Sequence, residues 1–130
     1  MAFYLDTSAA VKLVVLEAES SAMTAWLQAH DGQLVSSDLL RTELLRVIRR
    51  AAPEQMQRAR AVLDSITLLT LPPATFERAA ELDPDGLRSL GALHLAAALE
   101  LGDELDGVVT YDERLARAAQ LRGVGVIAPT

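Results

Sequence analysis

The 130-residue chain contains no cysteine. Disulfides and thiolate metal sites are therefore excluded, and the composition suits a reducing compartment. Aromatic residues make up only 4% of the chain, which argues against a single-strand nucleic-acid binder built on base stacking. Lysine is almost absent: Lys12 stands with eleven arginines. No apolar run is long enough to span a bilayer, since Ala9–Leu16 is short and broken by Lys12. No basic segment precedes the first apolar run, so a targeting signal is not read. Linkers, internal repeats and low-complexity tracts are also missing. These absences predict a cytoplasmic protein with no membrane partner.

Half of the residues are hydrophobic. At this length that implies one folded domain over residues 1–130, with Ala, Leu and Val supplying the core. The formal net charge of −6 argues against a general nucleic-acid coat, because phosphate binding needs clustered cations. Charge is nevertheless uneven. Arg41, Arg46, Arg49 and Arg50 fall within ten residues, and Arg58 and Arg60 follow. That stretch reads either as a solvated helix face or as a forked phosphate-binding surface.

Short apolar runs alternate with helical patterns. Strands are expected at Ala2–Asp6, Leu34–Ser36, Ile66–Leu71, Gly107–Thr110 and Val124–Ile127. Helices are expected at Ser8–Leu16, Ser20–His30, from a Ser37 cap to about Arg50, from Pro53 to Asp64, Ala74–Leu82, from Ser89 onward and Asp112–Arg122. Asp83-Pro84-Asp85-Gly86 is a turn signal. Such alternation predicts right-handed crossovers and a largely parallel sheet covered on both faces. Ligands of such sheets sit beyond the carboxyl ends of the strands.

Three acids draw attention there. Asp6 ends the first strand and Asp112 follows the Val108–Tyr111 run. Each is placed to cap the next helix, and equally placed to aim a carboxylate out of the sheet edge. On a helical wheel with Leu39 at zero, Glu43 lies at about 40° and Val47 at about 80°. A carboxylate on that apolar face is costly unless it is paired, hydrogen-bonded or metal-bound. An edge glutamate paired with Arg46 is the plain alternative. Parallel strands can bring Asp6 and Asp112 to one edge with Glu43 beside them. Three carboxylates so close repel unless protonated or bridged by a cation. Oxygen-only donors favour Mg²⁺ or Mn²⁺, which can activate water against a phosphate ester.

Four segments, in order, resemble a known family: Phe-Tyr-Leu-Asp-Thr-Ser-Ala-Ala-Val-Lys-Leu at Phe3–Leu13, Glu43, Leu-Arg-Ser-Leu-Gly-Ala-Leu-His-Leu-Ala at Leu87–Ala96, and Val-Thr-Tyr-Asp-Glu-Arg-Leu at Val109–Leu115. The chain resembles a PIN domain over its whole length, and specifically the VapC-type ribonuclease toxins of bacterial toxin–antitoxin pairs. The resemblance implies a three-layer α/β/α fold with a mostly parallel sheet of about four or five strands. It implies a Mg²⁺- or Mn²⁺-dependent endoribonuclease acting on structured RNA such as tRNA or an rRNA loop. A small VapB-like antitoxin and a homodimer are the implied partners.

The family's metal site is a cluster of about four carboxylates. Asp6, Glu43 and Asp112 match three of them, as both catalytic and metal-binding residues. The fourth position is Gly91. Thr7, Ser8 and Thr110 are placed to orient the carboxylates or a bound water. Lys12 and Arg88 match positions near the substrate groove. A water, or one of Asp83, Asp85, Asp103 and Asp106, can fill the gap at Gly91. The alternative is a catalytically weakened module that binds antitoxin or RNA without efficient cleavage. A receiver-like domain with a phosphorylated aspartate fits the alternation but leaves Glu43 unexplained. His94 reads as a hydrogen-bonded core histidine, and His30 and Trp26 as a surface and a core residue respectively.

Overall fold

A computed structural model describes all 130 residues. Five parallel strands form one sheet in the order β3-β2-β1-β4-β5: β1 Ala2–Leu5, β2 Leu34–Ser37, β3 Thr67–Leu69, β4 Leu105–Val109 and β5 Val126–Ile127. Seven α-helices flank it: α1 Thr7–Lys12, α2 Ser20–Ala29, α3 Leu39–Ala51, α4 Met56–Asp64, α5 Pro73–Ala80, α6 Ser89–Leu99 and α7 Glu113–Leu121. The expected mixture is thus an all-parallel sheet. Several boundaries are tighter than the apolar runs suggest. The first helix stops at Lys12, and Pro53 opens a 3₁₀ turn (Pro53–Gln55) ahead of α4.

Strand β1 is central, and alternation of its side chains divides the core. Leu5 packs on one side with Ala9, Met23, Leu40, Leu44, Ile48 and Leu63. Tyr4 packs on the other with Leu95, Ala98, Val108, Leu115 and Ala119. Helices α1–α4 therefore cover one face and α6–α7 the other, with α5 against α6. A helix such as α6, apolar nearly all round, suits a layer buried on several sides.

Helix α7 shows how local sequence sets the boundaries. Asp112 caps its start by accepting from the N–H groups of Arg114 and Leu115, at 2.9 and 3.2 Å. At its end Gly123 takes a φ of +76°, and the Gly123 and Val124 N–H groups bond back to Gln120 and Ala119. This Schellman closure needs a residue without a Cβ at that turn. It sends the chain straight into β5.

The strand order places a topological switch at β1. The chain moves outward through β2 and β3, then returns to the other side of β1 as β4. The crevice outside the carboxyl ends of β1 and β4 is where such sheets bind ligands.

Candidate active site

Asp6 lies at that crevice. It is the residue after β1 and the N-cap of α1, and it is 5% exposed. The Ser8 hydroxyl donates to its Oδ1 at 2.6 Å and the Ala9 N–H donates to the same oxygen at 3.3 Å. The Thr110 hydroxyl donates to its Oδ2 at 2.9 Å. Burial pushes the Asp6 carboxyl above the usual carboxylate range, while the Ser8 hydrogen bond, the nearby His94, Thr110 and the Ala9 N–H pull it back. No arginine or lysine is paired with it. A buried carboxylate held only by neutral donors suits a site that receives a cation.

Ser8 and Thr110 also join the two strand ends. Ser8 Oγ accepts from the Tyr111 N–H at 2.8 Å, and Thr110 Oγ1 accepts from the Asp112 N–H at 3.0 Å. The hydroxyls that hold Asp6 therefore also hold the backbone that carries Asp112. Thr7 takes a different place, with its hydroxyl 3.5 Å from His94 Nε2.

Asp112 is exposed. Its Oδ1 caps α7, so capping and the edge position coincide in one side chain. It lines a cleft of about 520 Å³ with Leu87, Arg88, Gly91, Glu113 and Arg114. Gly91 and Asp112 thus face one space, bordered by two arginines. A separate cleft of about 530 Å³, lined by α2, the loop before it, Gln55 and Arg58, contains no acidic residue and offers no comparable chemistry.

Glu43 sits on α3 beside the stripe of Leu40, Leu44 and Ile48, which carries the burial. Its partner is not Arg46. Glu43 Oε1 lies 2.5 Å from His94 Nε2, with the glutamate side chain 22% and the histidine side chain 4% exposed. His94 Nδ1 lies 2.7 Å from the Tyr4 hydroxyl, which in turn donates to Ser37 Oγ at 2.9 Å. Ser37, expected as a helix cap, is instead the buried last residue of β2. Burial raises the Tyr4 phenol well above its ordinary range, so it stays a neutral hydrogen-bonding group.

The three acids share one edge of the fold but do not converge. No three acidic or histidine side chains are gathered closely enough to hold one ion. Glu43 is committed through Oε1 and Asp112 through Oδ1. In donor chemistry the set still fits a hard divalent cation: oxygen ligands, one of them buried without a paired charge. Among the acids considered for the gap at Gly91, Asp103 and Asp106 flank the start of β4, next to the Ala2 end of β1, and so lie at the opposite edge. Asp85 lines an apolar cleft between α5 and α6 rather than the Gly91 cleft.

Other expectations are relocated. Lys12 is held by Glu19 at 2.6 Å and Glu17 at 3.3 Å and lies over the Tyr111 ring, so it serves the loop after α1 rather than a groove. His30 is half-buried, stacked on Trp26 and edge-on to Phe3. His94 is the buried, hydrogen-bonded core histidine expected from the sequence; what the sequence did not reveal is its partners in the hydrogen-bonded chain, Glu43, Tyr4 and Ser37. Buried polar side chains near a strand end are a signal of such a network, but their pairing across 90 and 33 residues has no local signature.

A five-stranded parallel sheet between helical layers, with acids at the carboxyl edge of its central strands, defines a PIN domain. The PIN-domain family model matches residues 3–121, and the chain belongs to that family. Within it the chain is of the VapC type. It is 41% identical to Ribonuclease VapC47 of Mycobacterium tuberculosis, over 97% of this chain and 96% of that one. It is 40% identical to Ribonuclease VapC46 of the same species, over 99% and 98%. The fold is similar to the crystal structure of M. tuberculosis VapC20, described as a sarcin-ricin-loop-cleaving toxin. The TM-score is 0.76 at 14% identity, covering 90% of this chain and 95% of that one. It is also similar to PAE2754 of Pyrobaculum aerophilum, with a TM-score of 0.69 at 21% identity, covering 97% and 83%.

Proposed function

We propose that this chain is a metal-dependent endoribonuclease toxin that hydrolyses phosphodiester bonds of structured RNA. The observation that carries this reading is Asp6: a buried carboxylate at the switch-point edge, fixed by Ser8 and Thr110 and lacking a paired cation. Its relatives are ribonucleases by name.

Asp6, Glu43 and Asp112 would hold Mg²⁺ or Mn²⁺, which when bound lowers the pKa of water and neutralises charge on a phosphoryl oxygen. Ser8 and Thr110 keep both Asp6 oxygens oriented and couple Asp6 to Asp112. Arg88 and Arg114 border the Asp112 cleft and offer forked donors to a phosphate. On α3 and α4, Arg46, Arg49, Arg50 and Arg60 are exposed and lack acidic partners, whereas Arg41 is paired with Asp38. They extend a cationic surface along the RNA in a chain that is otherwise acidic. A small VapB-like antitoxin and a second copy of the chain complete the assembly.

Gly91 favours a second reading, a PIN module that binds RNA or antitoxin and cuts poorly. One experiment separates them. Purified, antitoxin-free protein is incubated with total tRNA and rRNA in Mg²⁺, Mn²⁺ or EDTA, beside Asp6→Ala and Gly91→Asp. Metal-dependent cleavage abolished by Asp6→Ala supports the enzyme. An inert parent with an active Gly91→Asp variant supports the binding module.

A further inference from the structure

The geometry points to His94 as a positioning residue that sets Glu43 relative to Asp6, through a chain running Glu43–His94–Tyr4–Ser37. The inference rests on the reading of Glu43 as a metal ligand. A glutamate on a half-buried helix face has several rotatable bonds and two obvious destinations, solvent and Arg46, which lines the same cleft. Glu43 takes neither. It meets the His94 ring instead, Oε1 to Nε2 at 2.5 Å, and an ionised acceptor makes this contact stronger than a neutral hydrogen bond. A carboxylate only accepts, so Nε2 is the donor there.

What lies behind the ring gives the contact its meaning. Tyr4 and Ser37 are both fully buried. Tyr4 is two residues before Asp6 on β1, so both belong to the same alternation of that strand. The Thr7 hydroxyl, adjacent to Asp6, lies 3.5 Å from the same Nε2. Glu43, carried by α3, is thereby tied to the strand that carries Asp6 rather than to its own helix. Helix α6 supplies no acid at Gly91. Its contribution is the imidazole one turn later.

Three substitutions separate positioning from packing. His94→Gln keeps an N–H close to the place of Nε2 and so keeps the Glu43 arm. His94→Asn reaches only the Tyr4 arm, and His94→Leu keeps neither. Mn²⁺ affinity is read by the loss of the free-ion EPR signal, alongside Tm and, with RNA, KM and kcat. Loss of a group that orients a ligand typically costs about 10–100-fold in metal affinity. That loss is expected for Leu and Asn, with Gln within about threefold of the parent and KM for RNA nearly unchanged. If Leu and Asn lower Tm but bind Mn²⁺ like the parent, or if Gln loses as much as Asn, the positioning role is overturned while the nuclease reading stands. If the parent neither binds Mn²⁺ nor cuts RNA, the ligand reading of Glu43 fails and the positioning role goes with it.

Discussion

Replacing Gly91 by aspartate isolates what the missing carboxylate is worth, with Gly91→Ala as its control. Gly91 is the third residue of α6, a helix with no acidic residue in its first turn and no side-chain cap. Its φ is not positive, so a side chain is compatible with the backbone. An added Cβ would meet Leu87 Cδ1 at 3.0 Å and Leu87 Cγ at 3.7 Å, the end of a flexible side chain. Shifting that rotamer costs about 0.5 kcal/mol. Removing glycine from a helix gains up to ~1 kcal/mol, less near an end. Alanine is therefore nearly neutral or stabilising by about 0.5 kcal/mol. An acid in the first turn adds about 0.3–1 kcal/mol, opposed by Asp112 and supported by Arg88 and Arg114 in the same cleft. For a chain of this length, 1 kcal/mol corresponds to about 4 °C in Tm. In EDTA the aspartate variant should melt within a few degrees above the alanine variant. If its carboxylate joins a bound ion and tightens binding tenfold, saturating Mn²⁺ widens the gap by about 1.4 kcal/mol, or roughly 5 °C. Thermal melts of the three proteins across a Mn²⁺ titration measure this directly. Equal metal-induced shifts for Ala and Asp would refute the assignment of position 91 to the metal site.

Burial raises the Asp6 carboxyl, so the native state holds that proton more tightly than the unfolded chain. Its stability contribution is full below the unfolded carboxylate range and is lost as pH rises through the native value. Metal-free Asp6→Asn should therefore melt above the parent at pH 7 and lose that advantage near pH ~3.5, while cleavage falls by at least about 100-fold. An added Cβ at Gly107 would overlap Ile127 Cδ1 and press on the Gly125 carbonyl. Gly107→Ala should cost about 1–3 kcal/mol, seen as a lower denaturation midpoint with an unchanged m-value. Neutralising Arg49 and Arg50 together to glutamine should leave Tm nearly unchanged and reduce the slope of log affinity for RNA against log salt by about 1–2.

The fold was legible because its signals are local. Short apolar runs between caps, turns and prolines mark each strand, and their alternation with helical patterns points to a parallel sheet. The limits of elements were less legible where packing decides them. The Val14–Leu16 run continues an apolar pattern, yet the chain leaves the helix at Leu13, and Lys12 ties down the next loop through Glu17 and Glu19. Within the site, Asp6 and Asp112 could be singled out because a strand end followed by a helix is visible in sequence. Glu43 stood out as a charge on an apolar face. What could not be read was the partner of each. Glu43 and His94 are 51 residues apart, and only the crossing of α3 and α6 over the sheet edge brings them together. Capping and an edge position also proved not to be alternatives: Asp6 and Asp112 both cap helices and both stand at the carboxyl edge of the sheet.

The hydroxyl stitch between β1 and β4 has a consequence for the order of synthesis. Asp6 leaves the ribosome before the Thr110 hydroxyl that holds its second oxygen, which comes 104 residues later. A nascent chain can pair β1 with β2 and β3 and still lack one wall of the crevice. Until β4 slides in beside β1, Asp6 has only its local partners Ser8 and Ala9, and Asp112 has no fixed place. A chain cut short before Thr110 would thus carry two of the three acids and no assembled site.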